Sequence, residues 1–422
     1  ICQVSGATAD GPVEYPMMCG GNGSYAAVAQ FMGEISHDNS IPGCAAMSRL
    51  DEVMQFAILK GQELGAEWHY GERALKLTTD ESGAVTGAIS QKLDDESYVQ
   101  YNAKTGVILC LGDYSGDAKM TWNLNADISE FNARQGLTQD DLFSPFADCT
   151  GDGQKMACWV GGVMEPTPRA SMNTGGGGGG PWGTCPYLFL NANGERFCNE
   201  ANAVGITEAT LLQPAGTVCT GTDANYYETL KNAGLDHGAP NYGRPVYYEE
   251  LVADMEAIEL ENPEGGAVRC CTIAERNPST VYASETLEGA LKLAGYEGDA
   301  LQTALDQVAK YNELCATGKD SQYGKDGKYM VPIDTPPFYT CPANNSKTTS
   351  AGLVTLAGVE TNNNLQVIDV AGNVIPGLYA AGNCLGERYG NSYATPFAGN
   401  SIGMAMTHGR VAGKIITGQE VL

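Results

Sequence analysis

In the first third of the chain, a hydrophobic pattern with helical spacing is followed by patterns with the spacing of strands. From Leu50, the apolar residues Met54 and Ile58 recur four residues apart, which predicts a helix that ends at Gly61 or Gly65. Period-two alternation then predicts short strands over residues 67–70, 74–77 and 84–89, with a turn at 80–83. The run from Thr105 to Gly112 is continuously apolar and ends in glycine. That pattern is typical of a strand buried on both faces, so this part should close on a central strand.

The last part of the chain predicts a strand, a glycine-rich loop and a helix in that order. Residues 365–369 and 373–375 flank a turn at Ala371-Gly372, and residues 377–382 predict a buried strand that ends in glycine. A helix rich in small residues is predicted for 401–416, after the glycine-rich stretch 390–399. The free N–H groups and the dipole of a helix N-terminus favour an anion or a cofactor at such a loop.

The middle of the chain, from about Glu165 to Pro332, has a different character. Short apolar runs such as 187–190 alternate with polar turns such as 191–194, and helices are predicted at 285–294 and 300–315. This mixture predicts an α+β insertion.

Charge and length narrow the class of protein. The 422 residues carry 24 Lys and Arg against 50 Asp and Glu, a formal net charge of −26. An excess of acid argues against nucleic acid or an anionic membrane surface as a partner. No apolar run of membrane-spanning length and no signal peptide is recognised, although a chain that starts at Ile1 leaves a processed or truncated N-terminus open. The compartment therefore stays open between bacterial cytoplasm and export with the signal removed.

The 14 cysteines predict no local metal site. They occur without any C-x-x-C pair and beside only 4 histidines, so zinc or iron–sulfur spacings are absent. Buried, reduced thiols are the expectation. A cluster gathered from distant positions stays open.

Two glycine-rich segments near the C-terminus, Pro376 to Asn383 and Ala398 to Gly413, resemble the FAD-binding end of the fumarate reductase and 3-ketosteroid dehydrogenase flavoprotein superfamily. Further segments match in the family's order: 65–77, 107–112, 150–153, 189–200 and 333–339. The resemblance covers most of the chain from about residue 45.

The resemblance implies an α/β fold with a Rossmann-like FAD domain of the glutathione reductase type. That domain would be discontinuous, because an α+β capping domain would be inserted into it. We expect the first part of the FAD domain at residues 1–164, the capping domain at 165–334 and the C-terminal part of the FAD domain at 335–422.

The resemblance also implies which residues bind FAD. The backbone of Ala74 would face the adenine, Asp152 would be an acidic contact, and Asn383 would lie near the ribitol. The backbone N–H groups of Ser401 and Ile402 would meet the pyrimidine edge of the flavin, where negative charge develops on reduction. The other FAD-binding residues expected are Leu111, Gly112, Thr349, Gly382 and Asn400.

The N-terminus departs from the family's pattern. Gly21, Gly23 and Ala26 match G-x-G-x-x-A by letter, but Pro16 lies in the segment before them and no acid follows near residue 41. We therefore expect the sequence to begin inside the first domain, after the loop that binds the FAD pyrophosphate.

Candidate catalytic residues follow from the branch of the family. The arginines and histidine of the dicarboxylate reductases are replaced at four positions, by Gly183, Val204, Thr348 and Pro396. A dianionic substrate would then lack its bidentate partners, which excludes fumarate and succinate. The steroid branch instead polarises a ketone with a tyrosine and a glycine N–H, and the glycine matches Gly399. The tyrosine position matches Thr395 without a gap and Tyr393 with a two-residue insertion, and Tyr393 is the candidate donor. Tyr339 would lie near the flavin, and Arg388 could replace a lost arginine.

Three functions remain open. The first is an FAD-dependent oxidoreductase acting on the CH–CH or C=C group of a neutral enone, such as a steroid or an unsaturated lactone. The second is a reductase of arylacrylate-type monocarboxylates, in which Arg388 anchors the carboxylate. The third is a flavin-binding module without catalysis. A separate protein could donate or accept the electrons, and the direction of the reaction is not written in the sequence.

Overall fold

A computed structural model describes the chain over residues 50–142, 149–169, 171–172, 182, 186–201, 209–210, 212–232, 252, 255–256, 258, 268–270, 280–345, 354–390 and 400–421. Among these residues, no helix combines the length and the apolar character that crossing a bilayer requires. The candidate loop at Gly21 to Ala26 lies outside the described residues.

The helices and strands are numbered in chain order. The helices are α1 (Leu50–Glu63), α2 (Ala118–Leu124), α3 (Ala126–Ala133), α4 (Asp152–Trp159), α5 (Tyr226–Asn232), α6 (Leu287–Leu293), α7 (Gly298–Thr317) and α8 (Asn400–Ile416). The strands are β1 (Glu72–Thr79), β2 (Val85–Lys92), β3 (Tyr98–Asn102), β4 (Val107–Leu109), β5 (Ser171–Met172), β6 (Leu188–Leu190), β7 (Gly216–Thr222), β8 (Val268–Cys270), β9 (Thr280–Ser284), β10 (Phe338–Asn345), β11 (Val354–Thr355), β12 (Gln366–Ile368) and β13 (Val374–Ala380).

The chain divides into two compact units. The first unit takes its described residues from 1–60 and 175–347, and the second takes them from 61–174, 348–394 and 399–422. The strand β10 therefore belongs to the first unit, although the sequence placed residues 335–422 in the FAD domain. The physical reason is pairing, since β10 lies between β7 and β9 and pairs antiparallel with both.

The second unit contains an antiparallel sheet β1-β2-β3 and a sheet in the order β12-β13-β4. Within the second sheet β12 and β13 form an antiparallel hairpin, and β13 pairs parallel with β4. The core of the unit contains apolar residues from β1, β4, β13, α4 and α8, among them Leu77, Leu109, Met156, Leu378 and Ala412.

The first unit is built on an antiparallel sheet in the order β6-β7-β10-β9-β8. Helix α7 buries Ala304, Val308, Tyr311 and Leu314, which lie three or four residues apart along one helix face. The helix ends at Gly318, whose φ of 64° is the left-handed conformation common at helix ends. The buried face of α7 packs with α6 and with Leu188 and Phe338 of the sheet.

Several elements predicted from sequence are confirmed, and two are wrong. The helix from Leu50, the last helix and the hairpin at 366–380 occur where the pattern predicts them. Residues 67–70, predicted as a strand, are exposed and irregular. The strand before Gly112 is not buried on both faces, because Ile108 in β4 is 36% exposed.

Candidate functional site

Two parallel strands of the second unit end side by side. Leu378 pairs with Val107 and Ala380 with Leu109, and the N–H of Ala381 donates to the carbonyl of Leu109 over 3.0 Å. The segments that follow, 110–112 and 381–383, leave the sheet at the same edge. Ligands of open α/β sheets bind in the crevice outside the carboxyl ends of such strands.

Both segments contain a glycine in the left-handed conformation. Gly112 has a φ of 81° and Gly382 a φ of 63°. A Cβ at Gly112 would have no described heavy atom within 4 Å, so the space beside it is open. Leu111, the neighbour of Gly112, is 38% exposed. The two glycines bring bare backbone to the carboxyl ends of β4 and β13.

Gln154 of α4 bridges the two segments. Its side chain is fully buried, and Nε2 donates to the carbonyl oxygens of Gly112, over 3.0 Å, and of Asn383, over 3.3 Å. Its Oε1 is buried and meets no donor among the described residues. Buried polar atoms are nearly always paired, so an unpaired oxygen at this edge fits a ligand that brings a donor. The sequence did not reveal Gln154, which is 229 positions from Asn383.

Asp152 begins α4 and pairs with a residue of β1. Arg73 donates to its Oδ2 from Nε over 3.3 Å and from the terminal nitrogen over 3.1 Å. Arg73 precedes Ala74, the residue whose backbone was expected at the adenine. The structure thus brings two predicted FAD contacts, Ala74 and Asp152, to neighbouring positions through Arg73, which the sequence analysis missed.

Asn383 is the centre of a small polar network. Its Oδ1 accepts a hydrogen bond of 2.8 Å from Arg388 and one of 3.3 Å from the hydroxyl of Ser401 in the first turn of α8. Arg388 also donates to the carbonyl oxygens of Leu385, over 2.9 Å, and of Leu356, over 3.0 Å. The structure therefore brings Asn383, Arg388 and Ser401 together, as well as Gly382.

Glu165 lies next to this network. Its carboxylate accepts a hydrogen bond from the N–H of Glu387, which has a φ of 56°. Burial raises the pKa of Glu165 to about 7, although the Glu387 N–H and the charges of Arg388 and Arg169 oppose the rise. Like Gln154, it carries no sequence signal of its own.

Other predicted site residues have different placements. Tyr393, Gly399 and Thr349 lie outside the described residues, as do the side chains of Asn400 and Ile402, whose backbones begin α8. Tyr339 lies on β10 in the first unit, where its ring meets Tyr226 edge to face at 6.1 Å. Burial raises the pKa of Tyr339 to about 12, so its phenol stays protonated near neutral pH.

A second charged cluster, which the sequence did not reveal, is buried in the first unit. Arg196 binds Glu200 and Asp320 with two hydrogen bonds each, of 2.8 to 3.1 Å. Lys325 lies 3.4 Å from Glu200 and donates to the hydroxyl of Tyr311 over 3.0 Å. Burial alone would raise the pKa of Asp320, but hydrogen bonds, first those from Arg196, lower it to about 2. No group of three or more His, Cys, Asp or Glu side chains in the described ranges could hold a metal ion.

Comparison with known proteins decides the family. Residues 28–402 match the family described as FAD binding domain. The chain belongs to this family. It is 25% identical over 372 residues to the vinyl phenol reductase of Lactiplantibacillus plantarum, which covers 84% of this chain and 69% of that protein. It is 30% identical over 400 residues to the 4-oxocyclohexanecarboxylate 2-dehydrogenase of Sinomonas cyclohexanicum, with 87% and 60% covered.

A solved structure agrees on the fold. The 3-ketosteroid-Δ4-(5α)-dehydrogenase of Rhodococcus jostii RHA1, in complex with 4-androstene-3,17-dione, superposes with a TM-score of 0.59 at 21% identity. The match covers 91% of this chain and 70% of that one. Together with the family match over residues 28–402, this likeness confirms a flavoprotein fold with mixed α/β content, and the family match confirms the superfamily and the FAD cofactor. The bounds of the capping domain stay a prediction.

The chain is shorter than its relatives. It spans 69% of the vinyl phenol reductase, 58% of a 4-oxocyclohex-2-ene-1-carboxylate 5-dehydrogenase and 56% of a digoxin reductase. The names of these relatives agree with the predicted enzyme class, an oxidoreductase of CH–CH or C=C groups.

Proposed function

We propose that this chain carries the FAD-dependent part of an oxidoreductase that acts on the C=C or CH–CH group next to the carbonyl of a neutral enone. FAD supplies the hydride acceptor or donor of this reaction. A separate protein that donates electrons to the flavin or accepts them from it belongs to the proposal.

The residues at the carboxyl ends of β4 and β13 fit FAD. Gly112 and Gly382 offer bare backbone, and the orphaned Oε1 of Gln154 can accept a hydrogen bond from one of the cofactor's hydroxyl or N–H groups. The first N–H groups of α8, from Asn400 to Ile402, have no acceptor inside the helix, so they can bind a cofactor atom that gains negative charge.

The state of the described arginines favours a neutral substrate, and this observation carries the proposal. Arg196 is neutralised by Glu200 and Asp320. Arg388 uses N–H groups on three acceptors of its own unit. The other paired arginines bind a carboxylate or a backbone carbonyl: Arg73, Arg134 and Arg169. A substrate carboxylate buried beside arginines that are already engaged would lose its hydration with little compensation.

The roles of Tyr393, Gly399 and Tyr339 remain part of this proposal. Tyr393 and the N–H of Gly399 would polarise the substrate ketone by hydrogen bonds. Tyr339, which burial keeps protonated, is a candidate proton donor.

A reductase of arylacrylate-type monocarboxylates is the second candidate. It is favoured by the relative named for 4-oxocyclohexanecarboxylate, a compound with both a ketone and a carboxylate. This function requires Arg388 to anchor the carboxylate. Three of its five N–H groups are engaged, so two remain for a ligand.

A matched pair of substrates separates the two candidates. Benzalacetone and cinnamate share the styryl skeleton and differ in a methyl ketone against a carboxylate. The FAD-loaded protein is reduced anaerobically with dithionite, mixed with each compound, and followed by the visible absorption of oxidised flavin. We expect benzalacetone to restore the absorption at a rate at least tenfold above that with cinnamate.

Each other outcome has its own meaning. Faster reoxidation by cinnamate, lost in Arg388→Ala, would favour the second candidate. Bound FAD that neither these compounds nor a panel of steroid enones and unsaturated lactones reoxidises would favour a flavin-binding module without catalysis. A protein that does not take up FAD would contradict the cofactor site itself.

A further inference from the structure

The guanidinium of Arg388 is held from three directions. It donates to the backbone carbonyls of Leu356 and Leu385 and to the side-chain oxygen of Asn383, all within 3.0 Å. Its carbon also lies 5.3 Å from the centre of the Tyr389 ring. Three hydrogen bonds from different nitrogens fix the orientation of the guanidinium. Because the group is planar, the directions of its remaining N–H bonds are fixed as well.

This arrangement fixes the orientation of the Asn383 amide. A guanidinium has five N–H donors and no acceptor, so the amide atom that faces Arg388 has to be the oxygen. The hydroxyl of Ser401 approaches the same oxygen, at 3.3 Å. The NH₂ group of Asn383 must then point away from both of these partners.

The NH₂ group of Asn383 meets no acceptor in the described part of the chain. Asn383 is half-buried, follows the carboxyl end of β13 and contacts the first turn of α8 through Ser401. Its backbone carbonyl is bound by Gln154, so the whole residue is held from the protein side. What remains open is a pair of N–H donors at the edge where the cofactor binds.

We infer that Arg388 is a positioning residue that sets the hydrogen-bond polarity of the FAD site. It turns Asn383 so that this residue donates a hydrogen bond to an acceptor atom of FAD. The inference rests on the FAD cofactor of the proposed function and adds a task for Arg388 that needs no contact with substrate. Asn383 then offers FAD an uncharged hydrogen-bond donor, which an ionised aspartate or glutamate at this position would not do.

Asn383→Asp is the sharpest test, because the carboxylate keeps the pair with Arg388 and removes the donor. We expect the dissociation constant of FAD for the deflavinated protein, measured by quenching of flavin fluorescence, to rise about 5-fold to 150-fold. Asn383→Ala is the uncharged comparison and should weaken binding within the same range. If Asn383 only received the bond from Arg388, the aspartate variant would bind FAD as well as the wild type and unfold at the same or a higher temperature.

A double-mutant cycle tests the part played by Arg388. Arg388→Met should weaken FAD binding about tenfold in the wild-type background and less than about twofold in the Asn383→Ala background, because its effect passes through the amide. A purely structural role, through Leu356 and Leu385, would give the same loss in both backgrounds and would overturn the inference. Arg410→Met, at an exposed position of α8, is the control and should leave FAD binding unchanged.

The outcomes for the inference and for the proposed function are distinct. Wild-type protein that binds no FAD would remove the cofactor, and with it the proposed function. Wild-type protein that binds FAD, with variants at 383 and 388 that bind it equally well, would remove only the positioning role.

Discussion

Glu165 is a carboxyl group whose ionisation is coupled to folding. Burial raises its pKa from 4.5 to about 7 in the folded chain. Between these two values the folded state binds more protons than the unfolded state. The contribution of Glu165 to the free energy of unfolding should therefore fall as the pH rises from about 4.5 to 7 and level off above that.

We predict that Glu165→Gln removes this part of the pH dependence. The wild type should lose about 2 to 3 kcal/mol more than the variant across the window, at about 1.4 kcal/mol for each pH unit. Urea unfolding at a series of pH values measures it. Glu81→Gln, at an exposed turn, is the control and should keep the wild-type slope. An unchanged slope in Glu165→Gln would show that the carboxyl titrates normally.

Some residues of the site could be identified from the sequence alone, and others could not. Asp152, Asn383 and Ser401 lie in segments that resemble a family, and the structure brings Asn383 and Ser401 into contact. Gln154 and Glu165 could not be found, because each acts on a residue more than two hundred positions away. Such partners become visible only when the strands that carry them are placed side by side.

At the scale of elements, the buried cluster around Arg196 joins three parts of the first unit. Arg196 and Glu200 follow β6, Asp320 and Lys325 follow α7, and Tyr311 lies within α7. The side chains of Arg196, Glu200, Asp320 and Lys325 have no exposed surface. Two cations and two anions neutralise each other, so the cluster is stable only when it is complete.

Arg196→Met should destabilise the chain by about 3 to 5 kcal/mol, because Glu200 and Asp320 lose their main partner while they stay buried. The midpoint of urea unfolding, followed by far-ultraviolet circular dichroism, measures this loss. Arg134→Met removes an exposed pair with Glu130 and should change the stability by less than about 1 kcal/mol. Equal effects of the two substitutions would mean that the cluster contributes no more than a surface ion pair.

The spacing of hydrophobic residues predicted helices and hairpins better than it predicted the burial of individual strands. Helix α7 and the hairpin of β12 and β13 follow directly from spacing and turn residues. The run before Gly112 is apolar throughout, yet Ile108 and Leu111 are more than a third exposed. Whether both faces of a strand are covered depends on the elements that pack on the two sides of the sheet, and a single segment does not contain that information.

At the scale of the whole chain, the net charge of −26 acts on every ion that approaches the flavin. Repulsion of anions and attraction of cations act over about 30 Å at an ionic strength of 0.01 M and over about 8 Å at 0.15 M. The effect on encounter rates depends on the sign of the reagent and not on its fit to the substrate site. Two reductants of opposite charge can therefore reveal it.

We predict opposite salt dependences for the reduction of bound FAD. Dithionite, an anion, should react several-fold faster at 0.15 M than at 0.01 M salt, because screening weakens the repulsion. The reduced methyl viologen cation should react several-fold more slowly over the same range. Stopped-flow absorbance of the flavin measures both rates, and a neutral enone that reoxidises the flavin serves as the uncharged control. If both dependences were reversed, with dithionite slower and methyl viologen faster at 0.15 M salt, the field at the flavin would be positive and set by local groups, not by the acidic chain as a whole. If both reductants shifted in the same direction, the salt effect would not be electrostatic steering, and the prediction would be wrong.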